Sequence, residues 1–266
     1  MTRVWAIVLL MIGLFVALAP LLATHDPLHA VPTEQFSPPG LEHLLGTDDL
    51  GRDVFSRLMW GGRASLLHAA LAAVLAAGVG TLVGGLAGLA ESGVEQGIMR
   101  IVDVLLAFPP LLMAISLVAL LGVGGWQIAL GVGISLLPGF VRVVRAATLT
   151  ARQRLFVQVA RGFGADSWYI FRIHVFPAIW PQVVSLAVVN YAWALLSVAA
   201  LEFLGFTGSP SDPGLGTMLN QGRSYLNIAP WIALSPGTML TLIVMALVNL
   251  GDSLHRSGDI GLEPQQ

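Results

Sequence analysis

Six long apolar stretches constrain the fold of this chain more than any other feature. They cover residues 4–22, 64–90, 101–121, 126–141, 178–201 and 231–250. A helix needs about 20 apolar residues, at 1.5 Å each, to cross a hydrocarbon layer roughly 30 Å thick. Because lipid offers the backbone no hydrogen-bond partners, such stretches fold as helices. The pattern predicts an all-α, polytopic membrane bundle of six transmembrane helices.

Composition supports this fold and excludes several kinds of chemistry. Of the 266 residues, 56% are hydrophobic and 11% are charged, whereas soluble domains carry about 25% charged residues. All 13 basic residues are arginine, and the sequence contains neither lysine nor cysteine. Without lysine the chain cannot form the phosphate-binding loop of an ATPase, and without cysteine it has no thiolate nucleophile. We expect a non-enzymatic chain that itself binds no metal, cofactor or nucleic acid.

The first apolar stretch has some features of a secretion signal. Arg3 precedes it, and Ala17-Leu18-Ala19 has the small residues of a cleavage site. Its apolar region is longer than the usual length of about 7–15 residues, and Pro20 would directly follow the cleaved bond. We interpret the stretch as a retained anchor. The chain then divides into an anchor with an extracytoplasmic segment, residues 1–62, and a core of five transmembrane helices, residues 63–266.

Arginine is distributed unevenly among the connections between these stretches. Residues 142–177 carry six arginines against one acid, Asp166, whereas residues 24–62 carry more acids than arginines. Cytoplasmic connections of membrane proteins are enriched in basic residues, so we place residues 142–177 in the cytoplasm. Counting back through the spans puts both termini in the cytoplasm and residues 24–62 outside.

Small residues recur at every fourth position of the second stretch, at Ala72, Ala76, Gly80, Gly84 and Gly88. Such a ridge lets two helix backbones approach closely, which matters in lipid because the hydrophobic effect does not drive helices together. The pattern predicts a helix-packing face, unless these residues are incidental in a chain rich in glycine and alanine.

Residues 151–181 form an arginine-bearing segment that is long for a membrane connection. Leu155, Val159 and Phe163 would share one face of a helix. Gly164 is suited to end that helix, and Asp166 can cap a second one through its side chain. The segment is therefore predicted to form two short helices that bind a cytoplasmic partner. In the alternative interpretation, the arginines only set topology and the helix lies on lipid headgroups.

This segment resembles the EAA loop of ABC-transporter permeases. Gln158-Val159-Ala160 occupies the E-A-A positions, Gly164 matches the family glycine, and Phe176-Pro177 replaces Leu-Pro. His174 resembles the histidine of the H-x-L-P form found in the dipeptide/oligopeptide/nickel family. Gln158 replaces the family glutamate. We therefore do not expect this chain to form any ion pair that the glutamate makes with the ATPase.

Four other motifs resemble the second, C-type, permease subunit of the same family. Residues 43–57 are similar to H-x-L-G-T-D-x-x-G-R-D-x-x-S-R, and Asp103 with Phe108-Pro109 is similar to D-x4-F-P. Residues 202–218 resemble E-x-F-L-G followed by W-G-x-M, and residues 249–252 resemble a terminal N-L-L-G-D. The extracytoplasmic signature comprises Gly46, Thr47, Asp48, Gly51, Arg52 and Asp53.

The resemblance implies the type I importer permease fold and a function in ATP-driven import of peptides, nickel or metal chelates. It implies a homologous permease as heterodimer partner, two ATPase subunits that hold ATP and Mg²⁺, an extracytoplasmic substrate-binding protein, and lipid. A cytoplasmic coupling loop, residues 146–177, would contact the ATPases. The residues assigned to that contact are Arg154, Leu155, Phe156, Gln158, Val159, Ala160, Arg161, Phe163, Gly164, Ala165, Asp166 and Pro177.

Two further sites follow from the residues. Thr47 or Asp48 could cap an interfacial helix near the partner permease or the binding protein; the alternative is a helix that closes the bundle with internal Arg–Asp pairs. Asn190, Trp193 and Ser197 share one face of the fifth span and could line the pathway, unless they form ordinary interhelical hydrogen bonds. Acids near span ends, such as Asp103 and Glu202, favour local caps or ion pairs over proton transfer.

Two other classes of protein remain as alternatives. An ion-coupled secondary transporter needs acids or broken helices at the membrane midplane, and midplane acids are scarce here. An intramembrane serine protease could use Ser135, but a nucleophilic serine needs a general base. His68, near the start of the second span, is the candidate base.

Overall fold

The structure, a computed structural model, describes residues 2–90, 92–209 and 212–259. These residues form helices and connecting loops, with one isolated β-bridge between Thr47 and Asp53. The predicted all-α membrane bundle is confirmed. The α-helices are α1 (Thr2–Ala17), α2 (Ala19–Leu22), α3 (Val54–Leu89), α4 (Ser92–Leu106), α5 (Pro110–Leu121), α6 (Gly125–Arg152), α7 (Leu155–Gly162), α8 (Ser167–Ile170), α9 (Phe176–Phe203), α10 (Leu215–Gly222) and α11 (Trp231–Asp259).

Three shorter turns complete the helical elements. Pro32–Glu34 and Arg223–Tyr225 are 3₁₀ turns, and Phe171–Val175 is a π-helical turn that joins α8 to α9. Within the described residues, four helical segments are long and apolar enough to cross a membrane: Val54–Leu89, Gly125–Arg152, Ser167–Phe203 and Trp231–Leu254. A bent helix pair adds a fifth candidate. The first apolar stretch supplies the shorter helix α1, which packs against α11 and α3.

The third predicted span is not one straight helix. It consists of α4 and α5, which meet at an angle of 90°. The bend lies at Pro109-Pro110, where Pro109 has an extended ψ of 129°. Proline provides no backbone N–H and disfavours a helical conformation in the residue before it, so two successive prolines end α4 and restart the chain in a new direction.

Two other helix limits differ from the predictions. Helix α3 begins at Val54, so residue 62 lies inside a continuous helix of 36 residues. Helix α6 runs to Arg152 and therefore includes Arg142 and Arg145, whereas the sequence predicts that both lie in the connection after the fourth span. In both cases the adjoining polar residues pair with other parts of the protein: Arg52 and Arg57 pair with buried Asp48, and Arg142 and Arg145 pair with acids on α4.

The predicted small-residue ridge of α3 is a helix-packing face. Ala72, Ala76, Gly80, Gly84 and Gly88 are all buried. A Cβ atom added at Gly84 would lie 2.6 Å from the Val141 carbonyl oxygen, and one added at Gly80 would lie 2.9 Å from the Phe140 side chain. The ridge therefore holds the backbones of α3 and α6 in close contact, as small residues do in membrane bundles.

Replacing Gly84 with valine should destabilise the bundle by about 1–3 kcal/mol, because the new side chain would force α3 and α6 apart. Thermal unfolding of the purified, detergent-solubilised chain would measure the loss. Gly78→Val is the matched control, since Gly78 lies in the same helix and a Cβ there meets nothing within 4 Å. Equal destabilisation by the two variants would contradict the packing role of the ridge.

Candidate functional site

The segment between α6 and α9 forms a compact hairpin of α7, α8 and the π-helical turn. Helix α7 is followed by Gly164, whose φ of +83° is favourable for glycine. Helix α8 is capped by Asp166, whose Oδ1 accepts a hydrogen bond from the Tyr169 backbone N–H at 2.6 Å. The predicted break at Gly164 and the predicted cap at Asp166 are both confirmed.

Buried apolar side chains attach the hairpin to the membrane helices. Val157 on α7 is buried in a cluster with Phe171 and Val175 of the π-helical turn and Val144 of α6. The ring of Phe171 lies against Gly85 of α3, where an added Cβ would be 2.2 Å from the ring. The hairpin is therefore fixed to α3 and α6 and is not a free surface loop.

The opposite face of the hairpin is exposed and largely apolar. The exposed fractions are 75% for Leu155, 48% for Val159 and 89% for Phe163. Gln158 and Arg161 are exposed beside them. Among the remaining residues assigned to this surface, Phe156, Gly164, Asp166 and Pro177 are exposed, and Arg154, Ala160 and Ala165 are half-buried.

Gln158, at the position of the family glutamate, folds back on its own segment. Its Nε2 donates a hydrogen bond to the Gln153 carbonyl oxygen at 2.9 Å. A glutamate carboxylate cannot donate this bond. In this chain the side chain thus closes the turn between α6 and α7.

The two arginines that lie within α6 make ion pairs with α4. Arg142 pairs with Asp103, and Arg145 Nε donates to Glu95 Oε1 at 2.8 Å. Of the two expectations for Asp103, a local cap or an ion pair, the ion pair describes the structure. Next to them, Arg152 Nη1 donates to the Gly88 carbonyl oxygen of α3 at 2.9 Å. These three contacts join the ends of α3, α4 and α6.

The extracytoplasmic signature forms a buried arginine–aspartate cluster, defined here as Asp48, Asp49, Arg52, Asp53 and Arg57. Asp48 Oδ2 accepts a hydrogen bond from Arg52 Nε at 2.7 Å and lies 3.4 Å from Arg57 Nε. Asp53, and not Thr47 or Asp48, caps α3 by accepting the Ser56 N–H at 2.7 Å. Both guanidinium groups are at most 2% exposed.

The predicted cap at Thr47 or Asp48 is therefore wrong, and the alternative with internal Arg–Asp pairs describes the structure. The polar residues at 52, 53, 56 and 57 face inward because residues 24–51 fold over the start of α3. Arg57 also contacts this covering segment, since its Nη1 donates to the Pro27 carbonyl oxygen at 3.2 Å. Sequence periodicity could not reveal this cover.

Two signature glycines are required where the backbone makes close contacts. Gly46 has φ +72°, and a Cβ there would be 2.6 Å from the Ser37 carbonyl oxygen. Gly51 has φ +74°, and a Cβ there would be 1.9 Å from the Val31 carbonyl oxygen. Thr47, between them, accepts a hydrogen bond from Trp231 Nε1 at 3.1 Å through its carbonyl oxygen, which connects the signature to α11.

His43 lies between two carboxylates next to this cluster. Its Nδ1 is 2.9 Å from Asp53 Oδ1, and its Nε2 is 3.2 Å from Glu34 Oε2. Burial alone would lower the pKa of His43, but the hydrogen bonds and charges of Asp53 and Glu34 outweigh it and raise the pKa above 6.5.

The three residues predicted to line a pathway border one cavity. Asn190, Trp193 and Ser197 line an open space of about 520 Å³ between α5, α6 and α9. Asn190 donates to the Leu186 carbonyl oxygen and Ser197 to the Trp193 carbonyl oxygen, both within α9. These donors do not form the interhelical bonds of the alternative explanation. That the cavity belongs to a transport pathway stays a prediction.

Glu202 has a structural role that the sequence left open between a cap and an ion pair. It is 1% exposed, and its oxygens accept hydrogen bonds from Ser65 Oγ at 2.8 and 2.9 Å and from the Gly216 N–H at 3.0 Å. It therefore joins α3, α9 and α10. The only sequence signal for this role of Glu202 was its position in the E-x-F-L-G motif.

Ser135, the nucleophile of the protease alternative, donates a hydrogen bond to the Val132 carbonyl oxygen of its own helix.

Comparisons with known proteins agree with this architecture. Residues 80–258 match the family model described as "Binding-protein-dependent transport system inner membrane component". The chain is 38% identical over 221 residues to the "Glutathione transport system permease protein GsiD" of Pectobacterium atrosepticum, covering 83% of this chain and 73% of the relative. The proteins of the same name from Escherichia coli and Shigella boydii match with equal identity and coverage.

The relatives are transport permeases and not enzymes, and the family description places them in the inner membrane. Dependence on a binding protein implies a substrate-binding partner, and the ABC transporter class implies ATPase partners. The exposed hairpin, the helical bundle and the ordered motifs all accord with such a subunit. The chain belongs to the binding-protein-dependent inner-membrane permeases of ABC importers, in the dipeptide/oligopeptide/nickel family that its motifs resemble.

Proposed function

We propose that this permease imports short peptides of the size of glutathione, as one half of a heterodimer with a homologous permease. Two ATPase subunits would bind on the hairpin side and hold ATP and Mg²⁺, while this chain would bind neither of them. A substrate-binding protein would deliver the peptide from the opposite side. A peptide cargo is supported by the glutathione transport permeases, which are 38% identical to this chain over 83% of its length.

The exposed apolar face of α7 is the observation that carries the ATPase contact. Leu155 and Val159 are exposed on a helix of eight residues that lies between two membrane spans, and Phe163 is exposed directly after its last residue. Exposed apolar area of this kind costs about 25 cal/mol per Å² in water, and contiguous apolar patches mark interaction sites. At 1.5 Å per residue α7 is about 12 Å long, which fits a groove on a partner.

The anchored face of the same helix explains how force would reach the membrane. Val157 is buried against the cluster that contains Phe171, and Phe171 packs on Gly85 of α3. Closure of the ATPases would therefore move α7 together with α3 and α6 as a packed unit. Rigid-body tilting of such units is an established type of switching transition, and here it would alternate access to the pathway.

The cavity beside α9 is our candidate for this subunit's half of the pathway. Trp193 is 58% exposed in the middle of a span, and Asn190 and Ser197 add polar groups to an otherwise apolar lining. A homologous permease facing this surface would enclose the space. Such a pathway with few polar groups would tolerate several peptides, so the binding protein would provide most of the selectivity.

Transport in proteoliposomes tests the proposal. We expect vesicles containing this chain, its homologous permease and the two ATPases to accumulate labelled glutathione only when ATP and the binding protein are both present. Omitting the binding protein and replacing ATP with a non-hydrolysable analogue are the controls. Uptake of Ni²⁺ but of no peptide would overturn the cargo, and ATP-independent uptake would overturn the mechanism.

A further inference from the structure

Two histidines and one aspartate from separate parts of the chain come together beside the start of α3. The ring centroids of His25 and His43 are 4.8 Å apart. Asp53 Oδ1 lies 2.9 Å from His43 Nδ1 and 4.0 Å from His25 Nδ1. One ligand atom from each residue fits within a span of 4.8 Å. We infer that His25, His43 and Asp53 form a binding site for a divalent transition-metal ion, with Zn²⁺ the best fit.

The distances suit a tetrahedral ion after small movements. Zinc binds histidine nitrogen and carboxylate oxygen at about 2.0–2.2 Å, which places two tetrahedral ligand atoms about 3.3 Å apart. The two distances from Asp53 Oδ1 lie on either side of that value. His25 is exposed, which leaves room for a water molecule as the fourth ligand.

Neighbouring groups orient the three ligands. Metal-binding histidines donate their second ring N–H to a carboxylate or carbonyl group, and His43 Nε2 lies 3.2 Å from Glu34 Oε2. Asp53 Oδ2 accepts the Ser56 N–H, which directs its Oδ1 toward His43 Nδ1 at 2.9 Å. The Ser56 hydroxyl in turn accepts the backbone N–H of His25 at 3.1 Å.

The charge around the site also favours a cation. Glu34 and the three aspartates of the arginine–aspartate cluster provide four carboxylates against the two guanidinium groups of Arg52 and Arg57.

Binding of Zn²⁺ would release the proton from His43 Nδ1 to solvent. The Thr24 hydroxyl, now 3.0 Å from His25 Nδ1, would turn away. Imidazole and carboxylate ligands suit zinc, and also nickel and copper.

This inference reverses the sequence-based expectation of no metal and does not rest on the proposed function. The ligands follow no recognised metal motif because folding alone brings residues 25, 43 and 53 together. A bound ion would cross-link the segment that covers the arginine–aspartate cluster to the first turn of α3.

Zinc binding by the purified full-length chain tests the site. The chain would carry a streptavidin-binding tag in place of a histidine tag, be treated with a chelator, and be titrated with Zn²⁺ against a chelating dye. We expect one saturable Zn²⁺ per chain and affinity about tenfold or more weaker in His25→Ala and in Glu34→Gln. His25→Cys should retain binding because thiolate is also a zinc ligand.

His29→Ala is the matched control, because His29 is exposed on the same segment and outside the cluster. It should bind Zn²⁺ like the unsubstituted chain. Zn²⁺ should also raise the unfolding temperature of the unsubstituted chain but not that of His25→Ala. The inference fails if Zn²⁺ does not bind saturably, or if His25→Ala and His29→Ala bind it equally.

Discussion

Replacing Asp48 with alanine should destabilise the folded chain by about 3–5 kcal/mol, the largest stability effect that we expect. Removing one partner of a buried ion pair leaves an uncompensated charge in a medium of low dielectric constant. Asp48 pairs with Arg52 and Arg57, and its Oδ1 also accepts the backbone N–H groups of Leu50 and Arg52 at 2.9 Å. The substitution would therefore leave two buried guanidinium groups poorly compensated.

Thermal unfolding of the purified chain and protease cleavage of the segment that covers the cluster would measure this effect. Asp49→Ala is the matched control, because Asp49 is 27% exposed and lies 3.7 Å from Arg52, so its loss should cost at most about 1 kcal/mol. Asp48→Asn retains an acceptor for the backbone N–H groups and isolates the contribution of charge. Similar unfolding temperatures for Asp48→Ala and Asp49→Ala would show that the cluster does not depend on Asp48.

Introducing a charge into the exposed face of α7 should strongly weaken coupling to the ATPases. Val159→Glu would place a carboxylate in the centre of the proposed contact, between Leu155 and Phe163. Central interface residues contribute about 2 kcal/mol or more, so we expect ATPase binding to weaken about 30-fold or more. ATP-dependent uptake should fall in proportion, and Arg161→Glu should act in the same direction.

Co-purification of the ATPase subunits and uptake in proteoliposomes would check this prediction. Leu41→Glu is the matched control, since it places the same charge at a fully exposed leucine in the segment before α3. It should leave both measurements unchanged. If Val159→Glu retained full ATPase binding and uptake while inserted normally, α7 would not be the coupling helix.

Local features of the fold were predictable because they depend on residues close together in the chain. The end of α7 shortly before Gly164 follows from the conformational freedom of glycine, and the cap of α8 follows from the hydrogen-bond acceptor of Asp166. The packing ridge of α3 follows from its four-residue period. Each of these needs only one helix and its geometry, so sequence periodicity reveals it.

Features that depend on distant partners were missed or misread. The start of α3 was placed about ten residues too late, since hydropathy cannot recognise a polar helical turn that another segment covers. The sequence places Arg142 and Arg145 outside the fourth span. It does not reveal that they belong to α6, because their partners, Asp103 and Glu95, lie on another helix, α4. The bend of 90° at Pro109-Pro110 was not predicted, and its angle depends on how α4 and α5 each pack against α6.

The sequence by itself determined the class of the protein, its membrane character and the position of the exposed hairpin. The membrane character and the hairpin follow from the transfer of each residue between water and lipid and from turns formed within a few residues, whereas the class follows from motifs that resemble known permeases. Only the tertiary structure decided which polar residues are buried with a partner. Ser65 and Glu202 lie 137 residues apart, so their contact depends on packing of the whole bundle. The ligands of the proposed metal site meet only because the segment before α3 folds over the start of that helix.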